Sequence, residues 1–353
     1  MSQYELAAAA ARSRFTPARV VLAGALVVGL ATACGGSTPA ATGSSSNGNP
    51  LAGKRFIMMA QGSAQANRVV EHHAVELLKK QGAKAEMRYN DGKTNVAIAQ
   101  LQSGDIDVYS EAMAAGIGAV AAGIPLVNFA VGQPRQDYVF LARKGINTLA
   151  DLKGQKIGVQ DTTGVNYAQA LLVLQKAGLN VKDVDIVPTG GQSVRLAALL
   201  SGRVDATMLS HKAQITLQGR GFTTLFDYTK EAPELYDDSL FSTRKWLTSN
   251  EPLAVAVNKA LLESYVWFSD KGNAEEVVSE ALTIEPQADK ATLTSLFDLL
   301  RTAGAYPAGT ILDKAAIAAQ QDLYVKTGAV TKAVPVDQWV DTSYAGKAKA
   351  QVK

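Results

Sequence analysis

From Lys54 onward, short β-rich runs alternate with stretches whose apolar residues recur at helical spacing, the pattern of an open α/β sheet. The alternation runs twice. The first pass predicts a strand at Arg55–Ala60, a small polar turn at Gln61–Ala64, a helix to about Lys80, a break at Gly82, a strand at Lys84–Tyr89, a helix over Thr94–Gln102 and a strand at Ile106–Tyr109. The second predicts a strand at Lys156–Gln160, a turn at Asp161–Gly164, a helix to about Lys176, a strand at Val184–Val187, a helix over Gln192–Leu200 and a strand at Val204–Met208. LQSGDID at 101–107 and LLSGRVD at 199–205 are the clearest matching pieces. Two such βαβαβ units in one chain imply two lobes of like architecture.

Between the units, Ile124–Ala142 reads as two strands joined at the Gly-Gln-Pro-Arg turn of 132–135. Gly221–Tyr228 and Ser239–Ser242 read as further extended runs, and such runs are natural connectors by which a chain crosses between lobes and returns. The last third is helical, with helix-spaced apolar residues over Pro252–Asp270, Asn273–Leu282, Lys290–Ala303 and Thr310–Thr327. These helices are expected to cover the first lobe. The expected division is 54–140 with 225–353 for the first lobe and 141–224 for the second.

The N-terminal segment follows a different pattern. No charged residue lies between Arg19 and Lys54, and Val20–Ala33 is an apolar run behind the basic residues Arg12, Arg14 and Arg19. That is the layout of a secretory signal, and the run is short for a membrane span. Ala31-Thr32-Ala33 directly before Cys34 and Gly35 resembles the lipobox of bacterial lipoproteins, although Ala31 stands where Leu is commonest. The resemblance implies cleavage after residue 33, a lipid on Cys34 and an extracytoplasmic location. Gly35–Gly53 carries Gly, Ser, Thr, Ala, Asn and Pro with a single Leu51, too little apolar surface to fold alone. As a flexible tether over 34–53 it would reach about 25 Å root-mean-square.

Composition narrows the function. Cys34 is the single cysteine among 353 residues, which excludes an intramolecular disulfide framework or a Cys-rich zinc site. The formal charge of +3 falls to +1 once Arg12, Arg14, Arg19 and Glu5 are removed, which leaves 32 basic against 31 acidic residues, so nothing points to nucleic acid.

SGDIDV at 103–108, TLADLKGQKIGV at 148–159, LQKAGL at 174–179, LLSGRVDA at 199–206 and the tail DLYVKTGAV…VPVDQWVDTSYAGKA together resemble the solute-binding lipoproteins of ABC importers. The similar subgroup includes aliphatic sulfonate-, taurine- and nitrate-binding proteins and binders of thiamine-pyrimidine precursors. The resemblance implies a two-lobed type II periplasmic-binding-protein fold, with each lobe an open mixed sheet flanked by helices, crossing strands as the hinge, and a ligand in the interlobe cleft. It also implies permease and ATPase partners, no cofactor and no catalysis. The chain is expected to be a monomer.

In open α/β sheets ligands sit beyond the carboxyl ends of the strands, where helix N-termini present free N–H groups. Four such ends are available at Gln61-Gly62-Ser63, Thr94-Asn95, Asp161-Thr162-Thr163-Gly164 and Gly191-Gln192-Ser193. The strand ends Ser110-Glu111 and Ser210-His211-Lys212 would face the same gap. Convergent N–H and hydroxyl groups favour an anionic solute, sulfonate-like or carboxylate-like, with Arg135 and Arg195 as candidate cations. Each residue also has a plainer reading. Ser63, Thr162 and Thr163 are equally suited to capping a helix, Arg135 to a solvated turn, and Arg195 to a salt bridge with Asp or Glu. Tyr138 and Tyr167 could stack on a solute or pack in a core. His72-His73 read as a structural pair without partners at metal spacing.

A surface-tethered sensor or adhesion module, or a binder of a neutral heteroaromatic such as a thiamine-pyrimidine precursor, fits the same fold. An enzyme fits less well, since the chain has no phosphate loop, no G-x-S-x-G and no HExxH. Enzymes do occur on this fold, among them a thiamine-pyrimidine synthase with a Cys-rich motif, which a chain with one cysteine cannot match.

Overall fold

The computed structural model of the chain describes residues 49–90, 94–162 and 164–352. The expected signal over 1–33, the lipidated Cys34, most of the tether and Thr163 lie outside the described residues. The first repeat forms β1 (Arg55–Gln61), α1 (Val69–Lys80), β2 (Lys84–Asn90), α2 (Thr94–Ser103) and β3 (Val108–Ala112). It continues through α3 (Met113–Ala121) and β4 (Val127–Gln133), and the chain then enters β5 (Tyr138–Ala142). The second repeat forms β6 (Lys156–Val159), α4 (Val165–Lys176), β7 (Asp185–Pro188), α5 (Gln192–Leu200), β8 (Ala206–Ser210), α6 (His211–Leu217) and β9 (Thr223–Asp227). After α7 (Tyr228–Glu231) comes β10 (Asp238–Ser242), followed by α8 (Arg244–Ser249), α9 (Glu251–Ser269), α10 (Ala274–Ile284), α11 (Lys290–Ala303), α12 (Lys314–Lys326) and α13 (Ser343–Lys349).

Among the described residues ten strands form two five-stranded sheets, ordered β2-β1-β3-β10-β4 and β7-β6-β8-β5-β9. In each, three strands run parallel, and the fourth is antiparallel to both its neighbours. The two sheets therefore share one topology. That antiparallel strand arrives each time from the opposite lobe: β5 follows β4 of the first sheet, and β10 follows β9 of the second. The crossings thus fall at 134–137 and 228–237, a few residues from the expected joints at 140/141 and 224/225. Pairing starts at the first residue of β5, Tyr138 against Ser210 and Val139 against Asp227, which draws both β5 and β9 wholly into the second sheet.

The SGDID and SGRVD pieces match for a physical reason. Asp107 accepts the backbone N–H of Ile57 on β1 at 2.7 Å, and Asp205 accepts that of Lys156 on β6 at 2.8 Å. Each aspartate satisfies a donor at the start of a central strand and pairs with an arginine, Arg55 at 3.2 Å and Arg143 at 2.5 Å. Because these side chains occupy the strand entrance, β3 and β8 begin two residues later than the periodicity predicts. They then run on to Ala112 and Ser210, held by the incoming antiparallel strand.

The first sheet is covered on both faces. Helices α1, α9, α10, α11 and α13 bury one face around Phe56, Phe129 and Leu240, and α2, α3 and α12 bury the other around Met113, Phe241 and Trp339. The C-terminal helices thus cover the first lobe, as their apolar spacing predicts. Leu51 is buried in the first of these cores, so 49–53 belongs to the lobe rather than to a free tether, and the single large apolar residue of that segment is the cause. The second sheet has the smaller cores, built around Phe140 and Met208 on the α4 face and Val139 and Leu209 on the α5 and α6 face.

Candidate functional site

The carboxyl ends of the parallel strands in both sheets open onto two cavities between the lobes. One, of about 190 Å³, is bounded by Asn67 and Glu285 of the first lobe and by Gln192, Ser210 and Lys212 of the second. The other, of about 350 Å³, lies between Ala112 and Tyr324 on one side and Asp161, Gly164, Asn166 and Gln169 on the other. Tyr138 and Asp237, at the ends of the two crossings, line both cavities. The cavities therefore flank the hinge segments, and any group held there touches both lobes.

The charges around this cleft are mostly acidic and mostly neutralised inside the protein. Arg68, just before α1, bridges Asp238 at 2.6 Å and Glu71 at 3.1 Å. Burial opposes its charge, but Asp238 and then Glu71 hold the guanidinium protonated more firmly than usual. Glu71 also accepts from Ser110 Oγ at 2.5 Å, and its carboxyl is raised, by burial first, against the pull of Arg68. A glycine on β4 makes room for it: a Cβ on Gly132 would lie 2.1 Å from Glu71 Oε1. On the second lobe, fully buried His211 sits between Asp137 at 2.5 Å and Asp227 at 3.3 Å. Desolvation lowers its basicity, yet the hydrogen bond to Asp137 and the neighbouring Asp227 carboxylate outweigh that and lift its pKa to about 9.

Asp237 differs from these acids. Its Oδ2 accepts from Gln133 Nε2 at 3.0 Å and from the Asp137 N–H at 3.3 Å. Among the described residues no basic nitrogen lies within 4.0 Å of its carboxyl. Burial, then the neighbouring Asp238, push the Asp237 carboxyl well above the usual carboxylate range.

The residues singled out from the sequence distribute unevenly over this geometry. Gln192 and Ser210 line the first cavity, bonded to each other through Gln192 Oε1 and the Ser210 N–H at 3.2 Å, while Ser210 also caps α6. Gly164 lines the second cavity as the N-cap of α4, its N–H donating to Asp161. Gln61 and Gly62 end β1, where the Gln61 carbonyl accepts from Arg68 and Gly62 bridges to Asn90. Ser63 is exposed and accepts from Gln65; Thr162 is exposed too.

Three others are engaged within a lobe, and Arg135 between the crossings. Ser110 is fully buried on Glu71. Glu111 is 1% exposed and accepts from Thr94 at 2.9 Å, Tyr109 at 2.5 Å and the Ala112 N–H at 2.8 Å. Arg195 is 2% exposed and donates to the carbonyls of Gly190 at 2.9 Å and Met208 at 3.2 Å, so backbone rather than a carboxylate takes its charge. Arg135 reaches the Thr229 carbonyl across the two crossings at 3.4 Å. His72 and His73 both meet Glu280, at 2.7 and 2.8 Å, and His73 stacks on Trp267 at 3.7 Å; no group of three metal-binding side chains occurs among the described residues.

Sequence reasoning passed over Asp237, Gln136 and Asp137. The usable signal was positional: polar residues at the very ends of the crossing runs, in Gln136-Asp137 and Asp237-Asp238.

Residues 77–273 match the model of the family described as NMT1/THI5 like. A putative binding protein of Brucella abortus is 28% identical over 43% of this chain and 47% of its own length, so the chain spans about half the length of the curated relatives it matches. The periplasmic aliphatic sulphonate binding protein SsuA of Escherichia coli superposes with a TM-score of 0.66 at 23% identity, covering 82% of this chain and 92% of that one. The desulfurization enzyme DszB superposes with a TM-score of 0.60 at 15% identity over 84% of this chain and 99% of its own, and at such identities the likeness concerns the fold.

Proposed function

The chain belongs to the NMT1/THI5-like family, and from that premise we propose that it is the extracytoplasmic solute-binding subunit of an ABC importer. The observation that carries this is the pair of topologically alike lobes, joined by two crossings, with cavities lined from both sides. A solute touching both lobes favours the closed arrangement over the open one, and only that differential affinity shifts the population. A permease that reads the closed form then receives the solute, with an ATPase subunit supplying the work.

Lipid on Cys34 would hold the chain, a monomer, at the outer face of the cell membrane. No helix among the described residues is long and apolar enough to cross a membrane. Gln192, Ser210 and Gly164 stand at the cavity walls and are the sequence-selected residues best placed to contact solute; Gln61, Gly62, Ser63, Thr94 and Thr162 are not among the residues that line either cavity, and Thr163 lies outside the described residues. The reading excludes chemistry on the bound compound. The enzyme that shares the fold makes turnover the competing reading, and recovery of unaltered solute decides between them.

Isothermal titration of the full chain in detergent, against sulfonates, nitrate, carboxylates, amines and pyrimidines, is expected to find a saturable one-to-one binder. A broad panel with none removes the solute-binding reading. The intact mass of chain extracted from membranes is expected to show loss of residues 1–33 and a lipid increment.

A further inference from the structure

We infer that Asp237 anchors a positively charged group of the solute, and that the cleft takes a small organic cation bearing a protonated amine rather than an oxyanion. This rests on the solute-binding reading above and names the chemical class it takes.

The first ground is what the cleft leaves unpaired. Arg68 already serves Asp238 and Glu71, His211 serves Asp137 and Asp227, and Lys212 lies 3.6 Å from Glu285. Arg135 is turned to the Thr229 carbonyl and Arg195 to two carbonyls. The buried cations described near the cavities are therefore engaged, and Lys212, half exposed, is the one positively charged side chain among the described residues that lines either cavity. Asp237 is the acid left over. Both of its hydrogen bonds fall on Oδ2, and no donor among the described residues reaches Oδ1. Asp237 is partly exposed where it lines both cavities, and a bound ammonium would supply the counter-cation that it lacks.

The second ground is independent of the acids. Asn67, which bounds the first cavity, leaves its Oδ1 buried with no donor. A solute N–H directed at this oxygen would satisfy it. Beside Asp237 stands Tyr138, lining both cavities, and an aromatic ring next to a carboxylate is suited to an ammonium through its negative face. At the N-terminus of α4 the Gly164 N–H is already taken by Asp161.

The test uses the full chain in detergent and matched probes of equal size and opposite charge: benzylamine against benzoate and benzenesulfonate, and agmatine against a dicarboxylate. Native mass spectrometry of the chain as purified reads any retained solute in parallel. Binding of an amine, or retention of a cationic solute, with affinity reduced about 30-fold or more in Asp237→Asn, is the expected result. The near-isosteric amide keeps an acceptor for Gln133 and the Asp137 N–H, and an unchanged or higher melting temperature shows that the variant folds. Tight binding of an anion, or amine binding untouched by Asp237→Asn, overturns the inference while leaving the solute-binding function standing. No binder in either series and no retained solute overturns both.

Discussion

The two lobes share a sheet topology but use its two ends differently. At the amino ends of the central strands they are nearly superimposable in chemistry, with Asp107 and Asp205 accepting a strand N–H and pairing with an arginine. At the carboxyl ends they diverge. Ser110-Glu111 lies within β3, two residues short of the place that Ser210-His211 holds at the end of β8, where the first lobe has Ala112-Met113. The first pair is turned into the lobe, on Glu71, Thr94 and Tyr109; in the second, the serine lines a cavity and the histidine locks the crossings through Asp137 and Asp227. The end that builds the sheet is under the same demand in both lobes. The end that meets a solute is free to differ, and the difference makes one wall acidic and the other mixed.

The comparison can be broken most forcefully at Arg68. Arg68→Met strands Glu71 and Asp238 without their cation, and an unfolding free energy lower by about 3–5 kcal/mol is expected from urea denaturation. A loss below about 1 kcal/mol would mean that the first wall does not depend on this bridge.

On the second wall, His211 gives a pH signature. Its pKa is raised from 6.5 to about 9 in the folded chain. The folded state therefore binds the proton more tightly, and the stabilisation is fully present below 6.5 and lost as pH rises through about 9. Its size is on the order of 3 kcal/mol. Melting temperature measured from pH 6 to pH 10 should fall across that window in the wild type and much less in His211→Gln. Parallel curves would remove His211 as the cause.

At the shared end, Asp107→Ala and Asp205→Ala should each cost about 1–3 kcal/mol, and similar amounts, because each orphans one strand N–H and one arginine. Clearly unequal losses would show that the repeat in sequence is not a repeat in energetics. The smallest effect is expected at Lys212→Ala. Lys212 is half exposed and lies 3.6 Å from Glu285 on the opposite lobe, and a stability change within about 1 kcal/mol should leave solute affinity to register any role in closure.

Much of the fold was legible because it is written in local periodicity. Helices α5 and α11 occupy the predicted residues, and β1, β2 and β6 fall within one residue of theirs. The twofold echo announced two like lobes. The site was less legible. Glu111 and Arg195 carry the residue types of a binding site, but whether such a side chain turns outward or inward depends on partners distant in sequence, such as Thr94 for Glu111 and the Met208 carbonyl for Arg195. Asp237 had no local signal beyond its place before a strand.

By itself, the sequence determined the α/β class, the two units, the helical covering of the first lobe and the layout of the N-terminal segment, because apolar spacing and runs of one residue type act over a few turns of chain. The tertiary structure alone decided which strand each crossing feeds, which charges are paired and which carboxylate is left over. Those depend on groups brought together from positions 68, 71, 137, 211 and 238, and pairing of that kind has no period along the chain. A cleft whose helix ends suggested an anion thus presents an unpaired acid.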